Sequence, residues 1–559
     1  MADGGGKNSI TGRSAFLSIL KDEGVTKLFG NPGTTELPVM HALSEHPDLG
    51  YVLGLQESVV IGMADGFSRA SGKLVSCNVH VAPGLGNAIG AIYTAQMSGT
   101  PMIVTAGQQE QGHGLTEPLL YAPLVPIAQP VVKWATEIAR IEDLPRTLRR
   151  AAKIATTHPT GPVFISLPGD ILNAEAAIDL GESTRVDTAT RPSDDAVERL
   201  ARRLLAAKRP VILAGPEIVS SDAFAEAAEL AETLGAAVYQ QTVAHGAHFP
   251  SEHPCFMGAL NRNQTQVRDT LAPYDLLVCV GSDVLQMSVW STVEPVPAGM
   301  KIVQIGQRDW EMGKNYPAEI AVRADVKETL KALIPALTRI GGAARAEAAK
   351  AAVAALASSN WSAKRAARRA AVAARAGESP MAPEWVMMRL SERLPADGIV
   401  VDEGLTSANS LLAHYPLRDR YAYFGNVSGG IGWGIAAAVG VQMARPERRV
   451  VAVIGDGSSM YSVQAIWSAA HYKLPVVFLI CNNGGYQILK DRLKAFHGND
   501  KPIGMDFRDP AIDFTALAGA LGVSAVRATN AKEFDAAFDA AMARTDGPTL
   551  IEAMVGKAT

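Results

Sequence analysis

Cysteine is scarce. The 559 residues contain four, Cys77, Cys255, Cys279 and Cys481. They show no metal-ligand spacing and lie mostly in strand-like or apolar stretches, as expected of reduced core thiols in a cytoplasmic protein. An excess of one charge is also missing: 52 Lys and Arg against 56 Asp and Glu leave a formal charge of -4. That balance gives no reason to invoke nucleic acid or an anionic membrane as a partner. Apolar runs break well short of the roughly 18 residues that a membrane span requires, and the start, MADGGGKNSITGR, lacks the apolar core of a secretory signal. What remains is the composition of an ordinary soluble protein, 48% apolar and 19% charged, in a chain too long for one core.

The punctuation of the chain predicts an α/β protein with three doubly wound parallel-sheet domains. Residues 1–188 form a first block that closes with the strand Val163 to Leu167 and the turn Pro168-Gly169-Asp170. Residues 189–340 form a middle block with strands at Pro210–Ala214, Ala237–Gln240, Leu276–Val280 and Lys301–Ile305. Residues 341–378, rich in Ala, Lys and Arg around a single Trp361, read as a solvated helical linker. Residues 379–559 form the last block.

The most informative run is Arg448 to Gln487 in that last block. Arg448 to Ile454 is β-branched and apolar without alternation, as in a strand buried on both faces of a parallel sheet. It stops at Gly455-Asp456-Gly457. Ser458 to Tyr472 then has helical spacing, and a second apolar strand, Pro475 to Cys481, ends at Asn482-Asn483-Gly484-Gly485. In a right-handed βαβ unit both strand ends share one sheet edge. There Asp456 supplies a charged oxygen, Asn483 an amide oxygen and Gly485 a backbone carbonyl, a donor set that suits Mg²⁺. Gly455, Gly457 and the helix N-terminus at Ser458 offer N–H groups to a diphosphate.

The amino-terminal half has a similar plan. Strand Lys27–Gly30 runs into Asn31-Pro32-Gly33-Thr34-Thr35-Glu36-Leu37-Pro38, strand Tyr51–Leu55 into Gln56-Glu57, and strand Leu74–His80 into a glycine-rich helix. Thr34, Glu57 and His80 therefore fall at one carboxyl edge, where α/β sheets bind ligands. Gly84-Leu85-Gly86-Asn87-Ala88-Ile89-Gly90 nearly matches a dinucleotide fingerprint, but its last glycine is one residue late and no acidic residue follows at the required distance. Close packing of this helix on the sheet is the expected reason for these glycines.

GDG, then a helix and strand, then NNGGY, resembles the signature of enzymes that use thiamine diphosphate to decarboxylate 2-oxo acids or to make and break carbon–carbon bonds beside a carbonyl. GNPGTTELP, LQE with NVH, VTAGQQ, SGGIGWGIAAAVGVQMA and GDGSSMYSVQAIWSAA are most similar to the benzoylformate decarboxylases of that family. The resemblance implies thiamine diphosphate and Mg²⁺ as cofactors. It makes Glu57 the carboxyl that exchanges a proton with the aminopyrimidine, and gives His80 and Thr34 proton handling and carboxylate orientation. It sets Thr406, Gly429, Ile431 and Tyr486 against the cofactor, with Gly455, Gly457 and Ser458, and makes Asp456, Asn483 and Gly485 the metal ligands. It also implies a homodimer or homotetramer with active sites between subunits. The expected reaction converts a 2-oxo acid to an aldehyde and CO₂; the alternative is a carboligase or lyase of the acetolactate synthase or 2-hydroxyacyl thioester kind. Some positions depart from the pattern. Thr34 replaces a serine. The segment Gly281 to Ser288 holds no histidine where a second one is expected. Gly425 replaces an aromatic, and Lys490 and Arg492 follow Tyr486. These changes favour a more polar or larger acid, whose distal charge a cation could pair.

Overall fold

The computed structural model describes residues 9–243 and 245–557, so most of the MADGGGKNSITGR start lies outside the described residues. Three six-stranded parallel sheets carry the chain. The first contains β1 (Lys27–Gly30), β2 (Gly50–Leu53), β3 (Val75–Val79), β4 (Met102–Gln108), β5 (Ala135–Glu137) and β6 (Pro162–Pro168), in the order β2-β1-β3-β4-β6-β5. Every residue of β3, β4 and β6 is buried, which is why their sequences do not alternate. Register sets Gly30 opposite both Leu53 and Asn78, so Asn31, Glu57 and His80 leave the sheet at one edge.

The middle sheet contains β7 (Pro210–Ala214), β8 (Ala237–Gln240), β9 (Phe256–Ala259), β10 (Leu276–Val280), β11 (Lys301–Gly306) and β12 (Ile320–Arg323), in the order β9-β8-β7-β10-β11-β12. The third contains β13 (Ile399–Glu403), β14 (Tyr423–Gly425), β15 (Val450–Gly455), β16 (Val477–Asn482), β17 (Ser524–Ala528) and β18 (Thr549–Met554). Gly455 pairs opposite Cys481, which aligns the ends of β15 and β16.

The chain divides into two compact units: Met1–Val186 with Asn426–Ala528 and Asp539–Ala553, and Asp187–Gly425 with Thr529–Phe538 and Met554–Thr559. Within the first unit, two glycine-bearing helices, Glu57–Ser71 and Trp433–Ala444, pack backbone to backbone. A Cβ on Gly66 would lie 2.2 Å from the Ala437 carbonyl oxygen, and one on Gly440 would lie 1.9 Å from that of Met63. The buried Asp65 accepts the Trp433 indole N–H at 2.6 Å across this seam.

Two expectations need correcting. The helix expected from Ser458 to Tyr472 is two helices, Asp456–Ser459 and Gln464–His471. Hydroxyls hold the break: Ser459 Oγ donates to the Asp456 carbonyl, and Ser462 Oγ donates to that of Gly432. The linker is not wholly solvated, because Trp361, opening the helix Trp361–Ala373, is 3% exposed and belongs to the middle-sheet core. Its indole N–H donates to the Leu412 carbonyl at 2.8 Å. All four cysteines are buried and unpaired. Among the described residues, no helix is long and apolar enough to cross a membrane.

Candidate active site

Glu57 is the first residue of its helix, yet its carboxylate does not serve the helix N-terminus. The side chain of Gln56 takes that role, accepting from the N–H groups of Ser58 and Val59. Glu57, 7% exposed, instead accepts from Asn31 Nδ2 at 3.1 Å and Asn87 Nδ2 at 3.0 Å. The glycine-rich helix contributes here as well. A Cβ on Gly84 would come within 3.1 Å of Glu57 Oε1, whereas one on Gly86 or Gly90 would meet nothing within 4 Å. Sheet packing, the reason expected for these glycines, therefore does not explain them: Gly84 admits the carboxylate. Both of these partners of the Glu57 carboxylate are neutral amides.

His80 caps the helix Val81–Ser98 at the end of β3. Its Nδ1 lies 2.8 Å from Glu36 Oε2 and 3.1 Å from Thr35 Oγ1. Glu36 is fully buried and accepts further from Gly33 N at 2.9 Å, Gly107 N at 2.8 Å and Thr35 Oγ1 at 2.8 Å. Such a network offsets the cost of burying a carboxylate. Holding Nδ1 at Glu36 fixes the ring and leaves Nε2 as the nitrogen able to exchange protons with a substrate. Gly33 is required by this geometry, since a Cβ there would sit 2.1 Å from His80 Nδ1. Thr34 lines an adjoining cavity of about 590 Å³ with Arg13, His41, Gln108 and Gln109. His113 is exposed on a short helix.

At the ends of β15 and β16, Asp456 is 3% exposed and folds the following glycine-rich turn around itself. Its Oδ1 accepts Gly457 N at 2.8 Å, and its Oδ2 accepts Gly484 N at 2.8 Å and Gly485 N at 3.0 Å. Burial pushes the carboxyl above its ordinary range although these N–H groups pull the other way. Asn483 Oδ1 and Ser458 Oγ are buried without a hydrogen-bond partner among the described residues. An amide oxygen and a hydroxyl left unsatisfied beside a buried carboxylate are what a hard cation and a phosphate would complete, so the donor set fits Mg²⁺ and a diphosphate. No group of three or more His, Cys, Asp or Glu suited to a metal exists among the described residues. Gly457 is pinned from outside: a Cβ would lie 2.4 Å from Tyr486 Cε1, and Tyr486 packs edge-on against Phe507 with centroids 4.6 Å apart.

The structure thus brings Thr35, the neighbour of Thr34, to His80, and Asp456 to Gly457 and Gly485, with Tyr486 against Gly457. Gly429 and Ile431 lead into the helix Trp433–Ala444 in the same unit, with Gly429 at φ +76°. Thr406 belongs to the other unit, half-buried after β13. Ser288, at the place of the missing histidine, is exposed. Lys490 is taken by Asp506 at 2.6 Å, whereas Arg492 lies over the Phe496 ring. Sequence reasoning missed Glu36, Asn31, Thr35 and Asn87 as partners of the two acid–base groups. A buried acid beside a strand-end turn was their only signal.

Models of the thiamine pyrophosphate enzymes match the chain in three places: the N-terminal TPP binding domain at residues 10–118, the central domain at 197–333 and the C-terminal TPP binding domain at 405–553. The chain is 34% identical to benzoylformate decarboxylase of Pseudomonas aeruginosa over 97% of its own length and 98% of that protein. It is 26% identical to the acetolactate synthase isozyme 3 large subunit of Escherichia coli over 97% and 94%. The solved structure of a Rhodococcus jostii thiamine diphosphate-dependent 4-hydroxybenzoylformate decarboxylase superposes with a TM-score of 0.86 at 31% identity, covering 98% of this chain and 99% of that one. The buried Asp456 with its glycine turn, the unsatisfied oxygens beside it and full-length similarity of this extent lead to one conclusion: the chain belongs to the thiamine pyrophosphate enzyme family.

Proposed function

We propose that this enzyme decarboxylates a 2-oxo acid to the corresponding aldehyde and CO₂, consuming one proton. The observation that carries this reading is the His80–Glu36 pair, a fixed imidazole at the sheet edge that can deliver the proton replacing the carboxylate. Similarity over the full length to a benzoylformate decarboxylase supports it. Asp456, Asn483 and the Gly485 carbonyl would hold Mg²⁺. Gly455, Gly457 and Ser458 would receive the diphosphate, and Thr406, Gly429, Ile431 and Tyr486 would bound the rings. When bound, thiamine diphosphate supplies an electron sink for the pair left behind as CO₂ departs. Glu57 holds a proton on a carboxyl oxygen shielded from water. Thr34 Oγ1 orients the substrate carboxylate, and His80 moves a proton at Nε2.

The reading extends to assembly and setting. A homodimer or homotetramer with active sites between subunits is supported by large apolar side chains exposed beside the assigned residues, among them Leu55 at 43% and Tyr461 at 55%. Buried, unpaired cysteines support a reducing, cytoplasmic setting. The division at residues 1–188, 189–340, 341–378 and 379–559 is the one we propose for the domains.

One observation favours the second reading, a carboligase or lyase: no histidine in the segment Gly281 to Ser288 can assist aldehyde release. The test is to mix the protein with thiamine diphosphate, Mg²⁺ and a panel of aryl, branched, straight-chain and acidic 2-oxo acids, measuring CO₂ and identifying the organic product. An aldehyde is expected. A hydroxyketone, or no CO₂ despite bound cofactor, replaces the decarboxylase with the second reading.

A further inference from the structure

The basic run of the linker, Trp361-Ser362-Ala363-Lys364-Arg365-Ala366-Ala367-Arg368, falls on a helix whose residues 361, 364, 365 and 368 share one face. Trp361 anchors that face to the core, and the Asn360 side chain caps the helix by accepting from Ala363 N at 2.9 Å. The three cations that follow line a cavity of about 470 Å³, whose opposite wall comes from the end of β9 and from the helix Gln264–Leu271. Among the residues lining it are three cations and no carboxylate.

Carboxylates compensate these cations only from outside the cavity: Glu252 and Glu392 act on Arg365, and Glu384 pairs with Arg368. Lys364 Nζ donates to the Met257 carbonyl at 3.1 Å. Arg365 lies over the Trp361 ring, 5.4 Å from its centroid. The carboxylate paired with Arg368, Glu384, is 3.8 Å away. Burial lowers the basicity of both Lys364 and Arg365, so their charge carries a cost that a bound anion would offset. The facing wall combines the apolar Met257, Leu260 and Val267 with Asn261 and Thr270. Ligand sites of about 300–1,000 Å³ combine an apolar wall with a few convergent polar groups in this manner. Lys364 and Arg368, four residues apart, are offset by about 6 Å along the helix axis, with Arg365 between them.

We propose that this cleft binds an organic polyphosphate of nucleotide size, its phosphates on Lys364, Arg365 and Arg368 and its apolar part against Met257, Leu260 and Val267. None of the lining residues is among those assigned to thiamine diphosphate, so the site stands whether the enzyme releases an aldehyde or ligates.

The experiment is calorimetric titration of the full chain, first saturated with thiamine diphosphate and Mg²⁺, with ADP, ATP, inorganic diphosphate and adenosine. Saturable binding of the phosphates at one site per chain is expected, with none for adenosine. Arg368→Glu and Lys364→Gln should each weaken it about tenfold or more while leaving thiamine diphosphate affinity and CO₂ release unchanged. Arg368 is more than half exposed, so its variant should fold. ADP binding more tightly than inorganic diphosphate assigns the site to a nucleotide; equal affinity assigns it to inorganic polyphosphate on the same cations. No saturable binding at millimolar concentration, or binding that both variants leave intact, overturns the proposal.

Discussion

At the carboxyl ends of β7, β10 and β11, Arg308 Nε meets Glu217 Oε1 at 3.1 Å while its Nη2 meets Asp283 Oδ1 at 2.7 Å. At the ends of β15 and β16, Asn483 Oδ1 and Ser458 Oγ are buried with no partner among the described residues. Both are strand ends of parallel sheets, the usual place for a ligand. The middle edge pairs its charges with one another, and Gln307 N donates to Glu217 as well, with Gln307 Oε1 the buried oxygen there that lacks a partner among the described residues. The cofactor edge instead keeps donors and acceptors that its own chain does not satisfy. Unsatisfied buried groups cost stability in the free protein and are retained where a ligand completes them. The comparison teaches that a strand edge becomes a site through the bonds it withholds.

The sharpest break in the comparison comes at Glu57. Glu57→Gln keeps the shape and the Asn31 and Asn87 neighbours but cannot exchange a proton, so kcat should fall by about 10³ or more with cofactor still bound. Steady-state kinetics beside a cofactor titration checks this, and unchanged turnover would remove Glu57 from its role. Next is Asp456→Ala, for which Mg²⁺-dependent retention of thiamine diphosphate should weaken by about 10²-fold or more, read by equilibrium dialysis with and without the metal. A normal affinity would cancel the metal site.

Glu36→Gln tests positioning. It should cut kcat by roughly 10–100-fold with little change in KM and an unchanged folded fraction, whereas a merely structural role would lower the folded fraction and leave kcat per folded molecule in place. At the middle edge, Arg308→Met should cost about 3 kcal/mol of stability by leaving Glu217 and Asp283 buried without their cation, while kcat per folded molecule stays within about twofold, since the residue lies outside the proposed chemistry. Chemical unfolding and kinetics on the same preparation separate the two.

The smallest effect concerns pH. Burial pushes the Asp283 carboxyl up to about 6, outweighing the pull of Arg308. Between about pH 4 and 6 the folded state then holds a proton that the unfolded chain has released, so stability falls as pH rises through that window. Asp283→Asn should flatten that slope by about 1 kcal/mol per pH unit, measured as unfolding stability from pH 4 to 7.

Much of the cofactor edge could be read from residues alone. The unalternating apolar strands at Arg448–Ile454 and Pro475–Cys481, each closed by a turn with an oxygen ligand, marked two buried neighbouring strand ends, and β15 and β16 pair accordingly. Glu57 and His80 emerged the same way from strand-to-helix junctions. The partners of Glu57 and His80 did not. Glu36 sits 44 residues from His80, and Asn31 26 residues from Glu57, separations that no local pattern encodes. Trp361 likewise read as part of a solvated linker because its anchoring carbonyl, Leu412, lies 51 residues away.

By itself the sequence determined the parallel α/β plan, the neighbouring strand ends of β15 and β16 and a donor set there that suits a diphosphate-bound metal, because apolar periodicity and turn residues act over neighbouring positions. Tertiary structure alone decided which buried polar groups satisfy one another and which are left for a ligand. That depends on how distant segments meet, as where Glu36 closes on His80 while Asn483 Oδ1 meets no partner among the described residues. Hydrogen bonding is short-ranged and directional, so it is settled only when folding brings those atoms within about 3 Å.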